Sequence, residues 1–337
     1  MSSIARSAPP TRVLIPAEVQ GTPAPWGQVL HALDGATMGT TWSVRVWAGA
    51  GLPPTALRRA IQAVLDDVIA QMSTWDETAL ICRFNRLPAG RAMTLPESFA
   101  TVLEAALHVA RRSAGAFDPT VGAAVGRWGF GPAHLCEGLP ACAAQGWQRL
   151  RWAAEHRRLT QPGGGRLDLS AIAKGHAVDR VSALLRDSGL PHHLVEIGGE
   201  LRGEGLKPSG QPWWVDLESP DPACPLPPTR VALHGLSVAT SGDYRRWRTA
   251  DDGRRLSHTL DPRTGAPVTH DVASVTVLHP SAMWADAWAT ALMVLGPQDG
   301  LALAEAEGLA ALWIERPGLT APTWRDTLSP ALRAWLA

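Results

Sequence analysis

The sequence predicts an α+β fold of mixed β-sheets flanked by helices, and three observations lead there. Two stretches, 53–72 and 96–113, place apolar residues every three to four positions, the period of a helix with one buried face. Segments rich in β-branched or alternating apolar residues, such as Trp42–Trp47, Leu194–Ile197 and Val272–Leu278, read as strands. Turn-forming stretches such as Gln161–Gly165 and Ser241–Tyr244 separate these strands and helices within one chain, which reads as α+β. With 337 residues the chain is long enough for a sizeable core. Residues 1–25 read as a disordered or loosely attached tail, and 26–337 as a single domain.

The bulk composition narrows the function classes. The net charge is zero, so neither a nucleic acid nor an anionic membrane surface is implied as partner. No stretch is long and apolar enough for a transmembrane span, and the start lacks an apolar signal core or a lipid-attachment Cys, so a cytoplasmic location is expected. Cys82, Cys136, Cys142 and Cys224 form no metal-binding spacing and read as free thiols. Trp is over-used, with 15 against one Tyr and four Phe, and is expected to fill core and line pockets.

Taken in order, residues 34–41 read as a glycine-containing loop entering the strand at Trp42. The helix from Pro53 to Met72 buries Leu57, Ile61, Val64, Leu65 and Val68, with Thr55 as its cap. A polar loop carrying Trp75 follows. A second helix, Pro96–Ser113, is apolar at Phe99, Val102, Leu103, Ala106, Leu107 and Val109. Ala116-Phe117-Asp118-Pro119-Thr120 forms a turn, residues 133–147 a variable helix, and residues 148–160 a weak hairpin arm. Beyond residue 205, strands are expected at 213–217, 229–233, 236–240 and 256–260. A small-residue helix, Ala282–Leu295, a helix from Gly300 to Glu307 and a strand at Ala310–Ile314 complete the order. No internal repeat is visible.

The most informative stretch is Arg166–Gly205. Lys174 stands where a loop enters a helix, beside unpaired N–H groups and the positive end of the helix dipole, a place suited to a phosphate as well as to an ordinary surface turn. Asp286 and Thr290 lie at i and i+4 on an Ala-rich helix and so share a face. A buried carboxylate there needs a partner, and carboxylate with hydroxyl oxygen suits Mg2+ or Ca2+; the alternative is a half-exposed Asp at a helix start. His258 alternates with Leu256 and Leu260, either as a structural histidine or as a base.

In combination, MGTTWSV, MSTWD followed by Asn85, GAFDPTVG with RWGFG, LDLSAIAKGHAVD, LVEIGGELRGEG, SVATSGDYRRW, HTLDPRTGAPV and ADAWATALMVLG resemble the ApbE family of FAD:protein FMN transferases over some nine-tenths of the chain. The resemblance implies an ApbE-like, T-fold-related architecture with FAD in a cleft between two intimately joined lobes. It implies Mg2+-dependent transfer of FMN from FAD to a Thr or Ser hydroxyl of an acceptor protein, forming a phosphoester and releasing AMP. Mn2+ or Ca2+ are the alternative metals. The acceptor would carry a motif of the Asp-x-x-x-Ser/Gly-Ala-Thr type.

Carried over by motif, the metal ligands are Asp286, Thr290 and the backbone carbonyl of Ala171. The FAD contacts are Met38, Trp75, Ala116, Phe117, Asp118, Asp168, Lys174 and Leu260, with the turn Thr240, Ser241, Gly242 and Asp243 lining the same cleft. His258 is the implied base, and Lys174 neutralises phosphate charge. Trp75 replaces the more usual Tyr, and Ser170-Ala171 stands where relatives usually have two glycines. An FAD pyrophosphatase, or a non-catalytic FAD-binding protein, would use the same cleft. Asp34-Gly35-Ala36-Thr37 faintly resembles an acceptor sequence within the chain itself.

Overall fold

The computed structural model describes residues 10–17, 19–139, 146–250, 253, 255–318 and 322–337. Its main sheet has eight strands: β1 (Val29–Thr37), β2 (Thr40–Ala48), β3 (His193–Ile197), β4 (Glu200–Glu204), β5 (Leu236–Gly242), β6 (Val272–His279), β7 (Ala310–Glu315) and β8 (Arg325–Leu328). Their order across the sheet is their order in the chain, and every neighbouring pair is antiparallel. Between β2 and β3 run α1 (Pro54–Met72), α2 (Leu80–Asn85), α3 (Glu97–Arg112), α4 (Gly122–Arg127) and α5 (Ala173–Asp187). Helix α6 (Ala282–Ala306) joins β6 to β7, and α7 (Pro330–Arg333) follows β8.

This order is two strand–strand–helix–strand–strand halves joined edge to edge at β4 and β5. The first half contributes α5 and the second α6, and these two helices pack on one another. The repeat is one of topology, not of residues, so the sequence does not display it. The α+β class is as expected. The main sheet, however, is antiparallel throughout; parallel pairing occurs in a small sheet where Arg12–Leu14 runs beside Thr229–Val231, itself antiparallel to Trp213–Asp216.

That small sheet corrects the reading of the tail. Residues 12–14 are a paired strand, and Leu14 is fully buried against Val231 and Leu332 in the core on the second face of the main sheet. Three residues are too few to show a period, and their partner lies more than 200 positions away. Residues 1–9 and 18 lie outside the described part.

The helical faces follow the sequence periodicity. In α1, Leu57, Ile61, Leu65, Val68 and Met72 are buried; in α3 all six predicted apolar positions are. Helix α1 begins on Pro53-Pro54 without a side-chain cap, so Thr55 lies inside the first turn rather than at the cap. The expected loop at 34–41 is a hairpin: β1 extends to Thr37, and Met38 and Gly39 turn the chain with φ of 49° and 71°. Two consecutive positive φ values match the right-handed twist of the flanking strands. The two helices expected at 282–295 and 300–307 form one run kinked at Gly296, where φ is 73° and Pro297 removes a helical N–H. Of the helix expected at 133–147, the described residues show a 3-10 turn at Ala133–Leu135 and the start of another at Trp147; residues 140–145, including Cys142, lie outside the described part. Cys82, Cys136 and Cys224 are free thiols. No helix among the described residues is long and apolar enough to cross a membrane.

Candidate active site

A cleft of about 790 Å³ opens where the two halves of the sheet meet. The first half supplies Met38 from the β1–β2 turn, Trp75 from the loop after α1, Ala116, Phe117 and Asp118 from the loop after α3, and Asp168, Ala171 and Lys174 at the approach to α5. The second half supplies Thr240, Ser241 and Gly242 from the end of β5, His258, Leu260, and Asp286 and Thr290 from α6. All but one of the residues expected at the site therefore line one cavity, although they are spread over some 250 positions of chain.

The exception is Asp243. It is buried, but both carboxylate oxygens are engaged by Arg316, with Arg255 at 3.4 Å, and it does not line the cleft. Through Arg316 it ties the end of β5 to the end of β7. Thr37, the last residue of the acceptor-like Asp-Gly-Ala-Thr, is 6% exposed within β1 and is also not a lining residue.

The centre of the cleft is built by two helix starts facing each other. Gly175, in the first turn of α5, comes so close to α6 that a Cβ there would lie 2.2 Å from the Ala282 carbonyl oxygen. Its N–H donates to Asp286 Oδ2 at 3.0 Å. Gly175 is the third residue of α5, where an N–H has no acceptor within the helix, and Asp286 supplies one. In the opposite direction Asp179 of α5 accepts from the Ser281 hydroxyl and from the N–H groups of Ala282 (2.9 Å) and Met283 (3.0 Å), capping α6. Two carboxylates thus lock the helices together reciprocally.

Asp286 is 4% exposed, and burial raises its pKa against the pull of the Lys174 charge and the Gly175 hydrogen bond. One turn on, the Thr290 hydroxyl meets the Ser241 hydroxyl at 3.0 Å. A buried carboxylate and two hydroxyls, with Ala171 lining the same cleft, offer oxygen donors, the kind that suits a hard divalent cation. Among the described residues no cluster of three or more His, Cys, Asp or Glu exists, so a cation here would depend on that single carboxylate.

Lys174 stands half-buried beside this set, and its ammonium pairs with Glu200, the first residue of β4. Burial alone would lower the lysine pKa, but the charges of Glu200 and Asp286 outweigh it and the net shift is upward, so the cation persists. Burial pushes Glu200 up to about 7, with the Asp286 charge adding to the effect. Glu200 was not singled out by sequence reasoning. A Glu after two glycines carries no period and no spacing that marks it as buried.

Other residues hold the walls. Asp118 Oδ1 accepts from the N–H (2.8 Å) and hydroxyl (2.7 Å) of Thr120, and Oδ2 from the N–H of Trp147 at 3.0 Å. Asp168 Oδ1 accepts from Ser170 N–H at 2.8 Å, shaping the approach to α5. Asn85 clamps the Leu167 backbone in both directions, at 2.7 and 2.9 Å. His258 is half-buried, edge-on to Phe130, with Nδ1 at 3.0 Å from the Arg246 carbonyl. A carbonyl only accepts, so Nδ1 carries the proton and Nε2 is the basic nitrogen of the neutral ring. Burial and the Arg246 charge both lower its pKa.

Trp75 is 63% exposed at the rim, so its packing contributes little to stability. Trp75→Ala is expected to leave the melting temperature nearly unchanged and to raise the KM for a flat aromatic substrate about five- to tenfold, the loss of one stacking contact. Equal KM values for wild type and variant would remove Trp75 from the binding surface.

A sequence profile described as the ApbE family matches residues 38–313. An FAD:protein FMN transferase of Klebsiella pneumoniae is 34% identical over 325 residues, covering 94% of this chain and 92% of the relative. One from Vibrio cholerae is 37% identical over 291 residues, covering 84% and 86%. The crystal structure of Pseudomonas stutzeri flavinyl transferase ApbE in its apo form superposes with a TM-score of 0.82 at 38% identity, covering 92% of this chain and 97% of that one. The fold is that of a flavin transferase, and the chain is a transferase. The chain belongs to the ApbE family.

Proposed function

We propose that the protein transfers FMN from FAD to a Thr or Ser hydroxyl of an acceptor protein, forming a phosphoester and releasing AMP. The observation that supports this reading is the meeting of α5 and α6, which brings Lys174, Asp286 and Thr290 to one cavity that His258 also lines. Phosphoryl-type transfer requires alignment and charge neutralisation more than covalent help.

Asp286, Thr290 and the Ala171 carbonyl would hold the cation, Mg2+ by preference and Mn2+ or Ca2+ as alternatives. When bound, the cation would polarise the pyrophosphate oxygens and neutralise their charge. Lys174 adds a second positive charge at the start of α5. His258 Nε2 accepts the proton of the acceptor hydroxyl as its oxygen bonds to the phosphorus of the FMN moiety. The bond from that phosphorus to the bridging oxygen breaks, and AMP leaves with the electron pair. An acceptor of the Asp-x-x-x-Ser/Gly-Ala-Thr type would present this hydroxyl.

Because the His258 pKa is lowered, its base form is present at neutral pH and is lost only below the ordinary imidazole value of 6.5. The contribution of His258 to the pH–rate profile should therefore be a rising limb centred below 6.5, separate from any contribution of Glu200 near 7. His258→Ala should remove that limb and lower kcat by about 10²- to 10⁴-fold. A limb that persists in the variant would assign it to another group. The function itself is tested by chromatography of products from FAD and Mg2+. AMP release that requires acceptor, with FMN absent from the free pool, supports transfer; equimolar free FMN and AMP without acceptor would show hydrolysis instead.

A further inference from the structure

We propose that Glu200 is a positioning residue that keeps Asp286 available to the cation by holding the Lys174 ammonium away from it. The inference rests on the reading of Asp286 as the cation ligand.

Glu200 is 2% exposed and lines the cleft. One oxygen takes the Lys174 ammonium; the other, Oε2, is buried without a partner among the described residues. Lys174 precedes Gly175, whose N–H is on Asp286 Oδ2. One ammonium therefore stands beside two buried carboxylates, and it bonds to Glu200, not to Asp286. With both carboxylates ionised the three groups sum to one negative charge, which favours a divalent cation.

Without the Glu200 charge, Lys174 has a single anionic neighbour. It would neutralise Asp286 and compete with the metal for it. The sequence places the pair to prevent this: Gly198 and Gly199, with φ of 63° and 108°, turn the chain so that β4 starts with Glu200 at the cleft.

Charge parity makes the test sharp. Mn2+ binding, followed by electron paramagnetic resonance and calorimetry without FAD, is compared in wild type, Glu200→Gln, Glu200→Asp, the double variant Glu200→Gln/Lys174→Met, and Asp286→Asn. Glu200→Gln keeps the side-chain shape and should weaken Mn2+ binding about 10- to 100-fold, as loss of a group that orients a metal ligand does. Glu200→Asp keeps the charge and should bind more tightly than Glu200→Gln. The double variant leaves Asp286 as the sole charge and should return to within about threefold of wild type. Unchanged binding in Glu200→Gln, or no recovery in the double variant, would overturn the role of Glu200 while the contrast between wild type and Asp286→Asn still stood. Equal binding by wild type and Asp286→Asn would overturn the cation reading itself.

Discussion

Asp286→Asn is expected to lower FMN transfer by at least about 10²- to 10³-fold while leaving the metal-free protein as stable as wild type or more so. The two halves of this result have one cause. Asp286 is a carboxylate at 4% exposure whose pKa is raised by burial, and the nearest ammonium is already engaged by Glu200. Its charge in the metal-free protein is a cost. Asparagine keeps the shape, and its Oδ1 can still accept the Gly175 N–H that Asp286 Oδ2 accepts now. On the proposed reading, what would be lost is the one anionic ligand of the cation, and with it cation binding. Thermal melting in chelator and initial rates in Mg2+ separate the two effects. A variant with near-wild-type rates would mean that catalysis does not depend on a cation at α6. A marked fall in melting temperature would mean that Asp286 serves the fold instead.

Gly175→Ala is expected to be nearly as damaging, by a different route. The added methyl would lie 2.2 Å from the Ala282 oxygen, 2.6 Å from its carbonyl carbon and 2.8 Å from Met283 Cα. All three are backbone atoms, which have no rotamer to move into, so α5 and α6 must separate. In an exposed helix the same change would stabilise, since alanine is the better helix former. Here overpacking should cost about 1–3 kcal/mol. The same displacement breaks the Gly175–Asp286 hydrogen bond and shifts Lys174 relative to Thr290. Misplacement of this order costs about 10²-fold in rate. Steady-state kinetics and denaturant unfolding measure the two losses. A stable, fully active Gly175→Ala protein would show that the helix contact is looser than 2.2 Å implies.

Local physics was legible in the sequence where periods were long. The faces of α1 and α3 are those that 3.6-residue spacing marks, with Val64 only half-buried, because each helix buries one apolar stripe against neighbouring elements. The motif residues also converge, since most of them sit at strand ends and helix starts that open on the same junction. Three features were not legible. Leu14 is core through a strand of three residues whose partner is remote. Asp243 looked like a ligand-facing acid, yet its partner Arg316 is 73 positions away, and only the folded sheet brings them together. Glu200 reads as an ordinary acid, and its burial is imposed by the hairpin of β3 and β4 beside α5. In each case a long-range contact, not a local preference, decides the role.

The central claim is tested most directly by the mass of an acceptor protein after incubation with this enzyme, FAD and Mg2+. The acceptor should gain the mass of one FMN as a phosphoester on a Thr or Ser, with one AMP released per acceptor modified, and Asp286→Asn should give neither product. An acceptor of unchanged mass beside intact FAD, or beside free FMN and AMP, would contradict it.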